Sequence, residues 1–577
     1  MIETEARNHG APADAKPDRR GRGLSRAALI QYSVLICTSL FVLGPLIPVL
    51  FQSLIEDPIY AYNFDLVLTN FSDLFTDPEF IGVVGTTLLF GVLATVLSLI
   101  IGAGLAVVTV RMNIFGARAV RLISIWPIFI SPMVLAFGSV FAYGPAGYLT
   151  VWLRTLGIQA PWDLYTIPGM AFTSAIAFSP IAFVYCSAAL ELADASLEGA
   201  ARVSGLGRLA VVWRVVLPPL RPAMLYSGLL LLVLALEEVT IPLIYGSPRG
   251  IETIGSYLYI HGIREGVDGT TGAVAVILLA MCVVLLSLQT VLLRNSSRFI
   301  SVRGKASRHQ PLDLGRAKIL ISIIVWVYLF FGPILPGVML LARAFTKILT
   351  PLVPPLPTIE NFSVVWSSPM FLRAIGNSVM IATAGAILTT LVAVLAVLVA
   401  RRSRFRFRRF VEFTALSPQA IPGVVLGFGL FWFFVLVPFL SPVRTTLVGI
   451  GLAFLIALLP QAFGAIAPVA SQIGGELDDA ARTSGADWWY TMWRVIVPIF
   501  RPAVLASMTL VFASMMKGVT PALFLVTADT QIIGTTTLQL WINGNTGSVA
   551  ALSVIQVAIT LLFVAIATRI FKVKVYA

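Results

Sequence analysis

Side chains able to do covalent or metal chemistry are sparse and scattered in these 577 residues. Cys37, Cys186 and Cys282 each fall inside an apolar run and match no metal or redox spacing, so they read as small core residues. His261, Glu265 and Asp268 stand at i, i+4 and i+7, and on one helical face they could touch a metal. One histidine with two scattered acids fits a solvated loop better, and no metal site is expected. The nearest Gly-Lys pair, Gly304-Lys305, lacks the upstream glycine of a phosphate-cradling loop, so the chain is not expected to hydrolyse ATP. It contains no nucleophile elbow and no clustered His/Cys/Asp set, which argues against a membrane enzyme.

One pattern does recur. Glu198-Gly199-Ala200-Ala201-Arg202-Val203-Ser204-Gly205 runs on to Leu217-Pro218, and Asp478-Asp479-Ala480-Ala481-Arg482-Thr483-Ser484-Gly485 runs on to Val497-Pro498. Acids suit the first turn of a helix, where the dipole is positive. Two alanines leave a flat face for close approach by another protein, glycine permits the left-handed turn that ends a helix, and proline stops or restarts it. Each copy therefore predicts a short surface helix whose acidic end is open to a basic partner. A second set of charges lies within an apolar run: Glu237 and Glu238, whose counterparts 280 residues on are Lys517 and Gly518. Charges at bilayer depth are functional candidates by default. Glu237 facing Lys517 across a pathway would make a gate; the competing reading is that both snorkel to the outer interface.

The elements that must hold these residues follow from composition. Hydrophobic residues make up 58% and charged residues 12% of the chain, and mean hydropathy is +0.92. Soluble domains carry about twice that charge, so a soluble enzyme, a secreted disulfide scaffold and a disordered chain are excluded. Twelve apolar segments, each long enough to cross a bilayer, lie near 30–51, 82–110, 119–143, 167–190, 222–246, 272–293, 318–343, 374–400, 410–438, 446–470, 502–526 and 549–570. The net charge of +13 is concentrated in alternate connections, as positive-inside bias requires, rather than in a nucleic-acid-binding stripe. The stretch from Gln52 to Phe80 has no Lys or Arg but carries Glu56, Asp57, Asp65, Asp73, Asp77 and Glu79. Both termini are thus expected in the cytoplasm.

The halves repeat. Asn70-Phe71-Ser72 returns as Asn361-Phe362-Ser363 at an offset of 291, and Trp213-Arg214-Val215 returns as Trp493-Arg494-Val495 at 280. The 11-residue difference places an insertion in the 144–166 loop. Gly44-Pro45 aligns with Gly332-Pro333. The organisation expected is a basic tail (1–28), a first half (29–294, surface loop 191–221), a linker (295–317) and a second half (318–577, surface loop 471–501). Six spans precede the linker and six follow, making parallel repeats about an axis along the membrane normal.

At the duplicated loops the chain resembles a fused two-half permease of a bacterial ABC importer, over roughly residues 30–570. The resemblance implies an all-α polytopic protein of the type I ABC importer permease fold, in the bacterial inner membrane, with lipid around it and no nucleic acid. It also implies that each loop forms a coupling helix seated on one subunit of a separate ATPase dimer, which would use the ATP and Mg. The chain itself would bind no cofactor, and a solute-binding protein would deliver the cargo. Carried over by motif, the docking positions are Glu198, Ala200, Ala201 and Gly205, with Asp478, Asp479, Ala480, Ala481 and Gly485. Gly199 before Ala200, and aspartates where glutamate is commoner, depart from the pattern and imply unequal contacts. Fusion of the halves, with Asn-Phe-Ser before the second span, resembles the ferric-iron importers; related permeases serve thiamine, 2-aminoethylphosphonate and polyamines. A secondary transporter is the main alternative, but the 2–3 loop, Arg111-Met112-Asn113-Ile114-Phe115-Gly116, lacks the signature of the major facilitator family.

Overall fold

In the computed structural model the described residues are 26–571, apart from 62, 194–195, 265, 267, 294–314, 355 and 475. The tail up to residue 25 and most of the linker lie outside them. Among the described residues the chain is helical, with two isolated β-bridges, Ile55 to Leu66 and Thr346 to Pro357, and no strands. Among the described residues ten helices are long and apolar enough to cross a membrane, twelve if each of two bent pairs is one span. Helices are what apolar surroundings demand, since each backbone group must then be satisfied within the protein.

Several spans expected to be continuous are broken, and at matching places. The third consists of Ala117–Ile125, a tight turn Trp126–Phe129 and a second helix Pro132–Tyr143. The ninth consists of Arg408–Leu416, Ser417–Ala420 and Gly423–Leu436, with a bend of 112°. Pro127 and Pro132 in one, and Pro418 and Pro422 in the other, remove N–H donors, and the residues before Pro132 and Pro422, Ser131 and Ile421, are extended (ψ 139° and 110°). The fifth and eleventh spans also stop early, at Leu236 and Lys517, where charge interrupts the apolar run. Irregular backbone at this depth survives because protein covers it.

Within each half the second, fourth and fifth spans pack together. The first and seventh spans cross over: residues 26–52 lie on the broken ninth span, and residues 317–344 lie on the broken third. Two glycines permit this exchange. A Cβ on Gly138 would stand 2.5 Å from the Pro336 carbonyl oxygen, and one on Gly429 would stand 2.4 Å from that of Pro45. Pro45 therefore corresponds to Pro336, at the offset of 291, not to Pro333 as the Gly-Pro alignment expects.

The asparagines of the Asn-Phe-Ser repeats clamp the outer ends of the first and seventh spans. The Asn70 amide donates to the carbonyls of Ser53 (3.1 Å) and Ile55 (2.9 Å), and that of Asn361 to Arg343 (3.2 Å), Ala344 (3.0 Å) and Thr346 (3.1 Å). The extra residues of the first half fall between Tyr143 and Ile167, where a helix Tyr148–Thr155 replaces the four-residue turn Ser441–Arg444.

Candidate functional site

Each repeated loop forms the short helix that its residues dictate, Ser196–Val203 in the first half and Glu476–Thr483 in the second. Both are closed by glycine in the left-handed region, Gly205 at φ +84° and Gly485 at φ +80°. The Leu206 N–H returns to the Ala201 carbonyl (3.1 Å) and the Ala486 N–H to that of Ala481 (3.0 Å), closing both helices alike.

Two of the three acids in the pattern, Glu198 and Asp478, do not face outward as expected. Glu198 is buried and pairs at 3.1 Å with Arg111, the last residue of the 34-residue second span Pro78–Arg111, whose side chain is 3% exposed. Asp478 pairs at 3.6 Å with Arg402, which ends the eighth span Pro369–Arg402. Both arginines also donate to carbonyls where the following span but one ends: Arg111 to Leu190 (2.6 Å) and Ala193 (3.0 Å), Arg402 to Ile473 (3.0 Å). Sequence reasoning took these arginines for positive-inside charges; their correspondence at 291 was the available signal. An acid beside an eight-residue helix turns inward when a buried guanidinium waits there, because an unpaired charge in that position is costly.

Small side chains make up much of the outer surface of each helix, with Glu476, Leu477 and Asp479 exposed beside them in the second. Gly199, Ala200, Ser204 and Gly205 are exposed, as is Val203 at 92%, while Ala201 is half-buried against its own half. In the second half Ala480, Thr483, Ser484 and Gly485 are exposed and Ala481 is half-buried. Asp479 is exposed where the first half has Gly199, so that copy alone keeps an outward acid within the matched pattern.

Glu237 and Lys517 do not meet as the expected gate. Among the described residues no ion pair joins them. The Lys517 ammonium instead donates to the carbonyl of Ile128 (2.6 Å), in the broken third span of the opposite half. The Gly423 N–H, opening the second helix of the ninth span, is directed at the Glu237 carboxylate. The exchange matches local polarity, since a helix start favours an anion and the end of a turn favours a cation. The position equivalent to Gly423 is Pro132, which has no N–H to offer an acid. Glu238 is a local cap: its Oε1 accepts the N–H groups of Thr240 (2.9 Å) and Ile241 (3.2 Å) and the Thr240 hydroxyl. Sixteen helical residues separate Arg221 from this break, about 24 Å at 1.5 Å per residue.

His261 and Asp268 line one small cavity. His261 stacks on Tyr257 and lies 3.9 Å from Glu252, Asp268 accepts the Thr271 N–H (2.9 Å) at the start of the sixth span, and Glu265 lies outside the described residues. Among the described residues no three His, Cys, Asp or Glu side chains gather to hold a metal. Cys186 and Cys282 are buried as expected, but Cys37 is exposed on the first span.

Residues 98–298 and 392–573 each match the family of binding-protein-dependent transport system inner membrane components. The chain belongs to this family. It is thus a multi-pass transport component, with the family's domain present twice in one polypeptide. It is similar to the ferric transport system permease protein FbpB of Actinobacillus pleuropneumoniae, at 26% identity over 499 residues, 83% of this chain and 70% of that one. A putative ferric transport system permease protein FbpB 1 of Haemophilus influenzae is 25% identical over 473 residues, 80% of this chain and 72% of that one. A putative 2-aminoethylphosphonate transport system permease protein PhnU of Salmonella typhi is 27% identical over 215 residues, 37% of this chain and 74% of that one. A solved bacterial ABC transporter involved in the import of the acidic polysaccharide alginate aligns with 44% of this chain and 94% of its own, at 17% identity and a TM-score of 0.36.

Proposed function

We propose that this transport component is the permease subunit of an ATP-driven importer of ferric iron. A separate pair of ATPase subunits sits on the helices Ser196–Val203 and Glu476–Thr483, and a binding protein delivers the cargo from outside the inner membrane. The observation that carries this reading is the duplicated surface helix, with equivalent glycine closures and small outward residues, 280 residues apart. In this reading Ala200, Ala201 and Gly205, with Asp479, Ala480, Ala481 and Gly485, make the contacts, while Glu198 and Asp478 hold their helices in place. The permease binds no cofactor and does not hydrolyse ATP; ATP and Mg belong to the partner. Basic connections on one side support a cytoplasmic position for both termini. Iron is favoured because the ferric relatives match across both halves, whereas the 2-aminoethylphosphonate relative matches over 37% of the chain.

The test is ATP hydrolysis by the chain co-purified with its ATPase subunit, with and without Fe3+-loaded binding protein, in wild type and in Gly205→Asp with Gly485→Asp. Stimulated hydrolysis that the double variant abolishes supports the reading. If no ATPase subunit associates and uptake follows a proton gradient, it falls.

Glu237 and Lys517 close the path between the halves in this reading, each by holding the other half's broken span. Glu237→Gln and Lys517→Met are expected to cut uptake at least tenfold while assembly with the ATPase stays stoichiometric. Uptake within twofold of wild type in both would end their role in the path.

A further inference from the structure

Arg111 and Arg402 lie outside the motif, yet each sits where three elements converge. An arginine at the inner end of a span has no need of burial, since its stem reaches water easily. Both have turned inward instead, at positions 291 apart, and a buried guanidinium is tolerated only where its charge and donors are met. Each meets an acid of the surface helix and the terminal carbonyls of a neighbouring span. In the second half the corner is further tied by Trp488, whose indole N–H donates to the Arg402 carbonyl (2.9 Å). Each arginine also ends a 34-residue helix, about 51 Å of continuous rod.

We propose that Arg111 and Arg402 are the positioning residues of the coupling step: each fastens a surface helix to the inner ends of two spans, so that a displacement of that helix moves both spans. This rests on the reading of the surface helices as seats for an ATPase. The chain onward from the first surface helix passes the left-handed turn at Gly205. A planar guanidinium binding carboxylate and carbonyl together ties the helix directly to the span ends.

The test compares wild type, Arg111→Ala, Arg111→Lys and Arg402→Ala, each reconstituted with the ATPase subunit and assayed with and without Fe3+-loaded binding protein. Arg111→Ala is expected to assemble, because the outward face is untouched, and to lose at least tenfold of the stimulated hydrolysis while basal hydrolysis persists. Arg402→Ala should lose roughly threefold to fivefold. Arg111→Lys keeps a cation for Glu198 but cannot also span to both carbonyls, and should lose about threefold. If Arg111→Ala assembles and is stimulated to within twofold of wild type, the inference is overturned. Where Arg111→Ala fails to reach the membrane, Arg111→Lys decides: normal stimulation there makes the arginine a folding staple and overturns it too. A wild-type complex without stimulation removes the underlying reading, and this inference with it.

Discussion

The two surface helices share a backbone and differ in how they are fastened. In the first half Arg111 reaches Glu198 at 3.1 Å and two carbonyls besides. In the second, Arg402 reaches Asp478 at 3.6 Å and one carbonyl, and Asp478 Oδ1 is buried without a hydrogen-bond partner. Aspartate is one methylene shorter than glutamate, and its carboxylate falls short across the same gap. The break in the fifth and eleventh spans diverges further, with an anion in one half and a cation in the other. Features that backbone geometry demands (the left-handed glycines, the Asn70 and Asn361 clamps, the close approaches at Gly138 and Gly429) are kept in both copies. The charges at that break, Glu237 and Lys517, which need only a partner of suitable polarity, have diverged, whereas Arg111 and Arg402 are kept.

Substitutions made in pairs sharpen this contrast. The largest effect is expected at the fastened acids: Glu198→Ala should cost about 3–5 kcal/mol by stranding a buried arginine, and Asp478→Ala about 1.5–3 kcal/mol because less is lost. Thermal unfolding in detergent, followed by tryptophan fluorescence, reads both; equal losses would show that the two corners are equivalent. Gly138→Ala and Gly429→Ala should each cost about 1–3 kcal/mol through overpacking against a carbonyl. A large difference between those two would break the symmetry of the crossed spans. Gly205→Ala and Gly485→Ala should cost about 1–2 kcal/mol each through the left-handed backbone alone, since a Cβ meets nothing within 4 Å at either position. The smallest effect concerns Asp487, whose carboxylate caps the helix Trp488–Thr491 by accepting the Tyr490 N–H (2.7 Å). Asp487→Ala should cost about 1 kcal/mol, whereas Gly207→Asp at the corresponding place in the first half should gain a few tenths. Gly207→Asp lowering the unfolding temperature would mean that the two helix starts are not equivalent.

Much of the site was legible in the residues. Acid, Ala-Ala and Gly at fixed spacing located both surface helices and the left-handed turns that end them, because capping and helix closure are local. The breaks in the third and ninth spans were less visible. Apolar periodicity does not change across them, and Pro127, Pro132, Pro418 and Pro422 were the cue. Asn-Phe-Ser read as a family signature and proved to be a clamp on carbonyls 15 to 18 residues upstream. The direction of Glu198 was not legible at all, since its partner lies 87 positions earlier, at the end of another span. Nor was the pairing of Lys517, whose acceptor, the Ile128 carbonyl, stands 389 positions away.

By itself the sequence determined that the chain crosses the membrane many times, the duplication of its halves and the place of the surface helices, because hydrophobic length, repeat and capping are written in neighbouring residues. Only the tertiary structure decided which way each charge turns. In a dry interior every polar group must find a partner, and the partner is supplied by whichever distant helix packing brings within about 3 Å.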